Sequence, residues 1–157
     1  MIVFKKTILT LMLTSIAYAS VSYAHDLNGS LGKKTTGNAA TDVFWITCLN
    51  DGNGEPGYLY LRLKEKLPRD TKIKKYPLLS IQAYKDTISS PLSTDPINAD
   101  AGYAPGLKVT GGAGIYQVYI NKGLSTLKAI STYYVQYHCE TDTNQHTGTE
   151  IEMKQNQ

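Results

Sequence analysis

The sequence predicts a single all-β domain, an antiparallel β-sandwich of immunoglobulin-like type with about six to eight strands. Three observations lead there. Short apolar/polar alternations recur along the chain, separated by clusters of Gly, Pro, Asn and Asp. No stretch sustains the 3.6-residue period of a long amphipathic helix. The chain's two cysteines, Cys48 and Cys139, end the first and last of the good strands.

Whether those cysteines pair depends on the compartment, and the N-terminus speaks to that. Lys5 and Lys6 are followed by an apolar stretch over 7–19 and then by small residues. This is the pattern of a secretory signal peptide over residues 1–24, too short for a membrane span. Cleavage after Ala17-Tyr18-Ala19 would release a chain starting at Ser20, and cleavage after Ser22-Tyr23-Ala24 one starting at His25. The second leaves the more usual polar spacer after the apolar core and is favoured. The expected location is periplasmic or secreted, where thiols oxidise. A Cys48–Cys139 disulfide is therefore expected, and it would clamp the outermost core strands together. For a loop of that length the chain-entropy model assigns about 4–5 kcal/mol, an optimistic figure. No cysteine adjoins either cleavage site, so no lipoprotein anchor is expected.

Without residues 1–24 the chain has 133 residues, one domain with room for its own core. The lost segment carries two lysines and no acid, which leaves 14 basic against 13 acidic residues, a balance of +1. Such a balance excludes a general nucleic-acid or membrane-surface binder. No later stretch is apolar enough to span a bilayer, so no stable membrane span is expected after cleavage.

In chain order, residues 25–41 are small and polar with only Leu27 and Leu31 able to pack. They read as an irregular N-terminal arm in front of a β-sandwich domain over 42–153. The first strand covers 42–48, with Phe44, Ile46 and Cys48 on one face and Val43, Trp45 and Thr47 on the other. Asn50 to Gly54 is a turn cluster. Over 58–64, Leu59, Leu61 and Leu63 face in while Tyr58, Tyr60, Arg62 and Lys64 face out. Over 78–84, Leu79, Ile81 and Ala83 share a side. The Pro-bearing stretch from Pro91 to Pro105 reads mostly as loop. Short strands follow over 107–109 and 115–121, the second with Tyr116, Val118 and Ile120 opposed to Ile115, Gln117 and Tyr119. Residues 124–130 are ambiguous and can hold one helical turn. The strand over 132–140 is the richest in aromatic and β-branched residues. It buries Tyr133, Val135, Tyr137 and Cys139 and turns Tyr134, Gln136, His138 and Glu140 away. A loop leads to an edge strand over 149–153 and a polar tail over 154–157.

Tyr137-His138-Cys139 has the Tyr-x-Cys spacing found in immunoglobulin domains. Trp45, however, precedes Cys48 instead of following it, so the resemblance is one of architecture.

Catalytic signatures are missing. There is no Gly-x-Ser-x-Gly elbow in a strand–turn–helix context, no His-Glu-x-x-His and no Cys-x-x-Cys. No nucleophile–base pair is visible, and an enzyme reading has the least support. The histidines carry the main functional expectation: His25, His138 and His146. A histidine at a mature N-terminus can chelate one ion through its α-amine and Nδ1, and a second histidine can complete an all-nitrogen site. That donor set suits Cu(II). The amine's ordinary pKa is about 8, so a metal can displace its proton near neutral pH. Asp26, Glu140 or Asp142 can supply oxygen or orient a ligand. Exported β-sandwich proteins with such a histidine brace include the CopC-type periplasmic copper carriers and the lytic polysaccharide monooxygenases. The chain resembles them in architecture and in a possible N-terminal histidine. It is short for a monooxygenase, so the resemblance implies a copper carrier or buffer, with a copper ion or a copper-handling protein as partner. The alternative is a non-catalytic interaction module that binds a protein or glycan through a tyrosine-bearing sheet face, Tyr58, Tyr60 and Tyr134. A basic stretch from Arg62 to Lys75 reads as a solvated edge that discourages sheet-to-sheet aggregation.

Overall fold

Alternation at period two dominates the chain, and the structure, a computed structural model, turns almost all of it into strand. It describes residues 25–32, 39–66, 77–96, 102–124 and 130–157. The strands are β1 (His25–Leu31), β2 (Ala40–Leu49), β3 (Tyr58–Glu65), β4 (Leu79–Lys85), β5 (Ile88–Ser89), β6 (Ser93–Thr94), β7 (Leu107–Thr110), β8 (Gly114–Lys122), β9 (Ser131–Glu140) and β10 (His146–Gln155). Among the described residues there is no helix. All pairings are antiparallel, in the order β5-β4-β8-β2-β10-β9-β3-β7, with β1 on β9 and β6 on β4. The sheet curls until β3 and β7 approach β4 and β5, and is nearly closed. The all-β, antiparallel expectation holds. The immunoglobulin type of it is not what this strand order establishes.

The inward residues of the long strands form one core. Phe44, Ile46 and Cys48 of β2 meet Leu59, Leu61 and Leu63 of β3, Tyr116, Val118 and Ile120 of β8, and Tyr133, Val135 and Tyr137 of β9. Each of these is at most 5% exposed, and burial on that scale is the main stabilising term.

Strand β10 makes the corner that joins the two halves. His146 and Thr147 pair with Glu140 and Cys139 of β9, and from Gly148 onward the same strand pairs with β2. Thr147 and Thr149 thus lie opposite Cys139 and Cys48. The two cysteines are bonded, with Cα atoms 5.4 Å apart, and both are buried. The disulfide ties β2 to β9 across the corner that β10 turns.

Three expectations are corrected. Residues 25–31 are not an irregular arm: β1 pairs with β9 in unbroken register from His25↔Tyr137 to Leu31↔Ser131. Its polar composition hides a two-residue period. Leu27, Gly29 and Leu31 turn inward, while Asp26, Asn28 and Ser30 stay exposed. Gly29 is the telling position, because the Tyr133 ring fills the space a Cβ would need. The expected edge strand over 149–153 is longer: His146 and Thr147 pair with β9, and from Gly148 onward β10 pairs with β2 alone among the described residues, as an edge does. The tail over 154–157 is tied down as well: the Gln157 N–H donates to Asp42 Oδ1 at 2.8 Å, and its carbonyl accepts from the Gly32 N–H at 2.9 Å. The stretch 91–105, read mostly as loop, carries the two-residue strand β6. The signal peptide over 1–24, most of the basic stretch beyond Lys66, and the ambiguous segment within 124–130 lie outside the described residues.

Candidate histidine and tyrosine site

The register of β9 decides what gathers around His138. One edge of β9 is shared: β1 covers it up to Tyr137, and β10 takes over at Cys139. His25 begins the first of these strands and His146 begins the second. The three histidines are 113 and 8 residues apart along the chain, yet the topology brings them to one end of β9.

Their environments differ. His138 is 8% exposed, and its Nδ1 is buried without a hydrogen-bond partner among the described residues. The His146 ring lies 4.5 Å from it between centroids, tilted by 46°. On the other side the Tyr60 ring stacks at 6.5 Å. Burial lowers the His138 pKa, His146 and His25 lower it further by charge, and Glu140 opposes them. His146 is half-buried, with Nε2 3.9 Å from Glu140 Oε1. His25 is exposed and its ring meets Tyr137 at 5.6 Å. Among the described residues no three His, Cys, Asp or Glu side chains stand in a metal-holding arrangement. His138 and His146 are together, and His25 is a neighbour that faces elsewhere.

The expected oxygen ligands are partly engaged. Glu140 Oε2 accepts from the Tyr58 hydroxyl, which also lies 2.6 Å from Asn144 Oδ1. Asp26 Oδ2 accepts from the Tyr134 hydroxyl at 2.8 Å. Asp142 is exposed.

The tyrosine surface is on the same outer face, because Tyr58, Tyr60 and Lys64 pair with Glu140, His138 and Tyr134. Its parity is as read from the sequence, but its exposure is not. Tyr58 is 2% exposed, with Lys108 Nζ 3.4 Å from its ring centroid. Burial first, and then the Glu140 carboxylate, push its hydroxyl up to about 12. Tyr134 is half-buried, met edge-on by Tyr103 at 6.3 Å and by Lys64 at 5.0 Å. Arg62 in turn sits 4.1 Å over Tyr103. This face is covered by the chain's own cations and loops.

Sequence reasoning passed over two things. It treated the histidines and the tyrosines as separate candidates, although they share one face. It also did not single out Trp45, Tyr84 and Tyr119, which the register brings together on the opposite outer face. The signal for these was present as aromatic residues on the non-core side of their strands, but only the strand order shows that those sides adjoin. No protein-family model matches the chain, and no curated protein has a matching sequence.

Proposed function

We propose that this is an exported carrier or buffer of copper, which binds Cu(II) at the end of β9 through His138 and His146, with His25 as the third donor. One observation supports it most: strands distant in sequence bring the His146 ring to 4.5 Å from that of His138 and start the chain's third histidine, His25, opposite the neighbouring Tyr137. The orphaned, buried Nδ1 of His138 is what a missing partner would leave. The donor set fits the metal, since imidazole nitrogens with an N-terminal amine suit tetragonal Cu(II). Cleavage after Ala24 would free the α-amine at His25, beside the pair. His25 would then have to turn away from Tyr137, and its exposure makes that inexpensive. Glu140, 3.9 Å from His146, would orient that ring.

The test begins with intact mass of the exported protein, which reads the cleavage site and the two-hydrogen loss of the disulfide together. Cu(II) titration followed by EPR should then show a nitrogen-rich tetragonal spectrum that is lost in His146→Ala and altered in His138→Gln. A mature chain starting at Ser20, or no Cu(II) binding tighter than micromolar, overturns the reading. The alternative, docking of a protein or glycan on Tyr58, Tyr60 and Tyr134, gains less support because those rings are covered by Lys108, Lys64 and Tyr103. It predicts metal-independent binding that is lost in Tyr58→Ala and Tyr60→Ala.

A further inference from the structure

The outer face of β4, β8 and β2 carries an open groove of about 660 Å³, within the usual range for ligand sites. Its lining follows from register. Tyr84 of β4 lies opposite Gln117 of β8, and Gln117 lies opposite Trp45 of β2. This makes one row across three strands, an aromatic on each side of an amide. Adjacent strands are about 4.8 Å apart, so the two aromatic positions are separated by about 10 Å. Two residues along β8, Tyr119 lies opposite Gln82 and meets Tyr84 edge-on at 5.5 Å.

The polar groups are only partly spent. The Tyr119 hydroxyl donates to Gln117 Oε1 at 2.9 Å, which leaves the amide nitrogen of Gln117 as a donor. Gln82 Nε2 donates to the Ser90 carbonyl at 3.1 Å, which leaves its amide oxygen as an acceptor. The Asp86 carboxylate stands at the rim, exposed. Among the described residues no Lys or Arg lines the groove; Lys154 Nζ is held 3.9 Å over the Trp45 ring and beside Glu152.

These features select a ligand class. Without lining cations the groove does not suit phosphates or nucleic acid. A single carboxylate does not make a metal site. β8 is paired on both sides, so a peptide cannot add to it as a strand. Ile115 is the one aliphatic side chain in the lining, too little for a lipid. Planar aromatic rings between amides that both donate and accept are complementary to pyranose rings, which offer an apolar C–H face and equatorial hydroxyls. The aromatic spacing matches roughly the length of a disaccharide unit.

We infer that this groove binds a neutral β-linked polysaccharide chain, with sugar rings one disaccharide repeat apart on Trp45 and Tyr84 and hydrogen bonds through Gln117 and Gln82. It is independent of the histidine site on the opposite face.

Trp45 is the chain's sole tryptophan, so intrinsic emission reads this groove directly. The mature protein is titrated with the β-1,4-linked hexamers of glucose and of N-acetylglucosamine. At least one should give a saturable change in emission, with binding about tenfold weaker in Tyr84→Ala and in Gln117→Leu. Gln117→Leu keeps the side-chain volume and tests the hydrogen bond should the tyrosine variant fail to fold. His138→Gln and His146→Ala should leave the titration unchanged. No change with either hexamer up to millimolar concentration overturns the inference. So does a change that persists undiminished in both groove variants.

Discussion

On the β3–β9 face, Tyr58 lies under Lys108, Tyr134 is met by Asp26, Lys64 and Tyr103, and His138 is closed in by Tyr60 and His146. On the β4–β8–β2 face, Tyr84 is 37% exposed and Ile115 47% exposed around an open groove. Both faces arise from the same alternation of inward aliphatic and outward aromatic or polar residues. Parity places a side chain on a face, and distant segments decide whether that face is open. Here Tyr103, Lys108 and Asn144 cover one face; on the other, among the described residues, Lys154 lies over Trp45 while Tyr84 and Ile115 stay exposed. The covered face concentrates titratable groups in a drier setting, where a metal or proton can matter. The open one presents flat rings and amides.

The two faces are tied together at opposite ends of the strands, and cutting those ties gives the largest effects. The Cys48–Cys139 bond sits at the histidine end, joining β2 of the groove face to β9 of the covered one. Replacing both cysteines by serine should cost about 2–5 kcal/mol. A urea melt that followed Trp45 emission and tyrosine CD separately would then show whether the halves still unfold together. A loss well below that range would mean that β10 alone holds the corner.

At the other end the Tyr133 hydroxyl donates to Asp42 Oδ2 at 2.5 Å, both groups buried. Tyr133→Phe leaves the Asp42 carboxylate with only the Gln157 N–H among these partners. The expected loss is about 1–3 kcal/mol in urea denaturation, since a buried acceptor loses its donor. Gly29→Val, by driving Tyr133 off the β1 backbone, should act on the same contact, so the double variant should cost less than the sum of the two.

Those ties also show how much the sequence could reveal. The period-two pattern was enough for β2, β3, β4, β8 and β9 and for nearly every core residue, because inward aliphatics announce themselves. The disulfide was legible from the expected compartment and from strand position. β1 was not, because its inward face is Leu27, Gly29 and Leu31, and a glycine that makes room for a ring from another strand looks like a loop glycine. β10 was half legible: over 149–153 it pairs with β2 alone, as the expected edge does, whereas its start at His146 and its two-residue pairing with β9 follow from where β9 lies and not from its own residues. The histidine site was named residue by residue, but its gathering depends on β1 and β10 sharing one edge of β9, a fact of topology. The groove was invisible for the same reason, since its rows run across strands and not along them.

The two ends also titrate in opposite senses, which sharpens the comparison. Burial pushes the Glu65 carboxyl up to about 7 from 4.5, with Asp95 adding to it and Ser131 and Lys122 opposing. Its folded state therefore binds the proton more tightly, so its contribution is full below about 4.5 and is lost as pH rises toward 7. His138 is lowered from 6.5, so its contribution is full above that value and is lost as pH falls below it. The slopes oppose each other just below about 6.5, where both groups titrate. Glu65→Gln should leave stability rising with pH over that window, and His138→Gln should leave it falling. Thermal melts at half-unit pH steps would check this. Parallel profiles in the two variants would mean that other groups dominate.

The smallest effect tests what keeps the covered face covered. Lys108 holds its ammonium over the Tyr58 ring, an arrangement worth about 0.5–1 kcal/mol at a partly exposed position. Lys108→Ala should lower the urea midpoint by no more than that, because Glu140 still accepts from the Tyr58 hydroxyl. Its diagnostic consequence is chemical. Tyr58 should become open to nitration by tetranitromethane, as mapped by peptide mass, while Tyr84 on the groove face reacts in both proteins. If Tyr58 stays inert in Lys108→Ala, the cover comes from the Asn144 turn and the Glu140 hydrogen bond. The contrast between the faces would then rest on the β9–β10 connection and not on cations laid over rings.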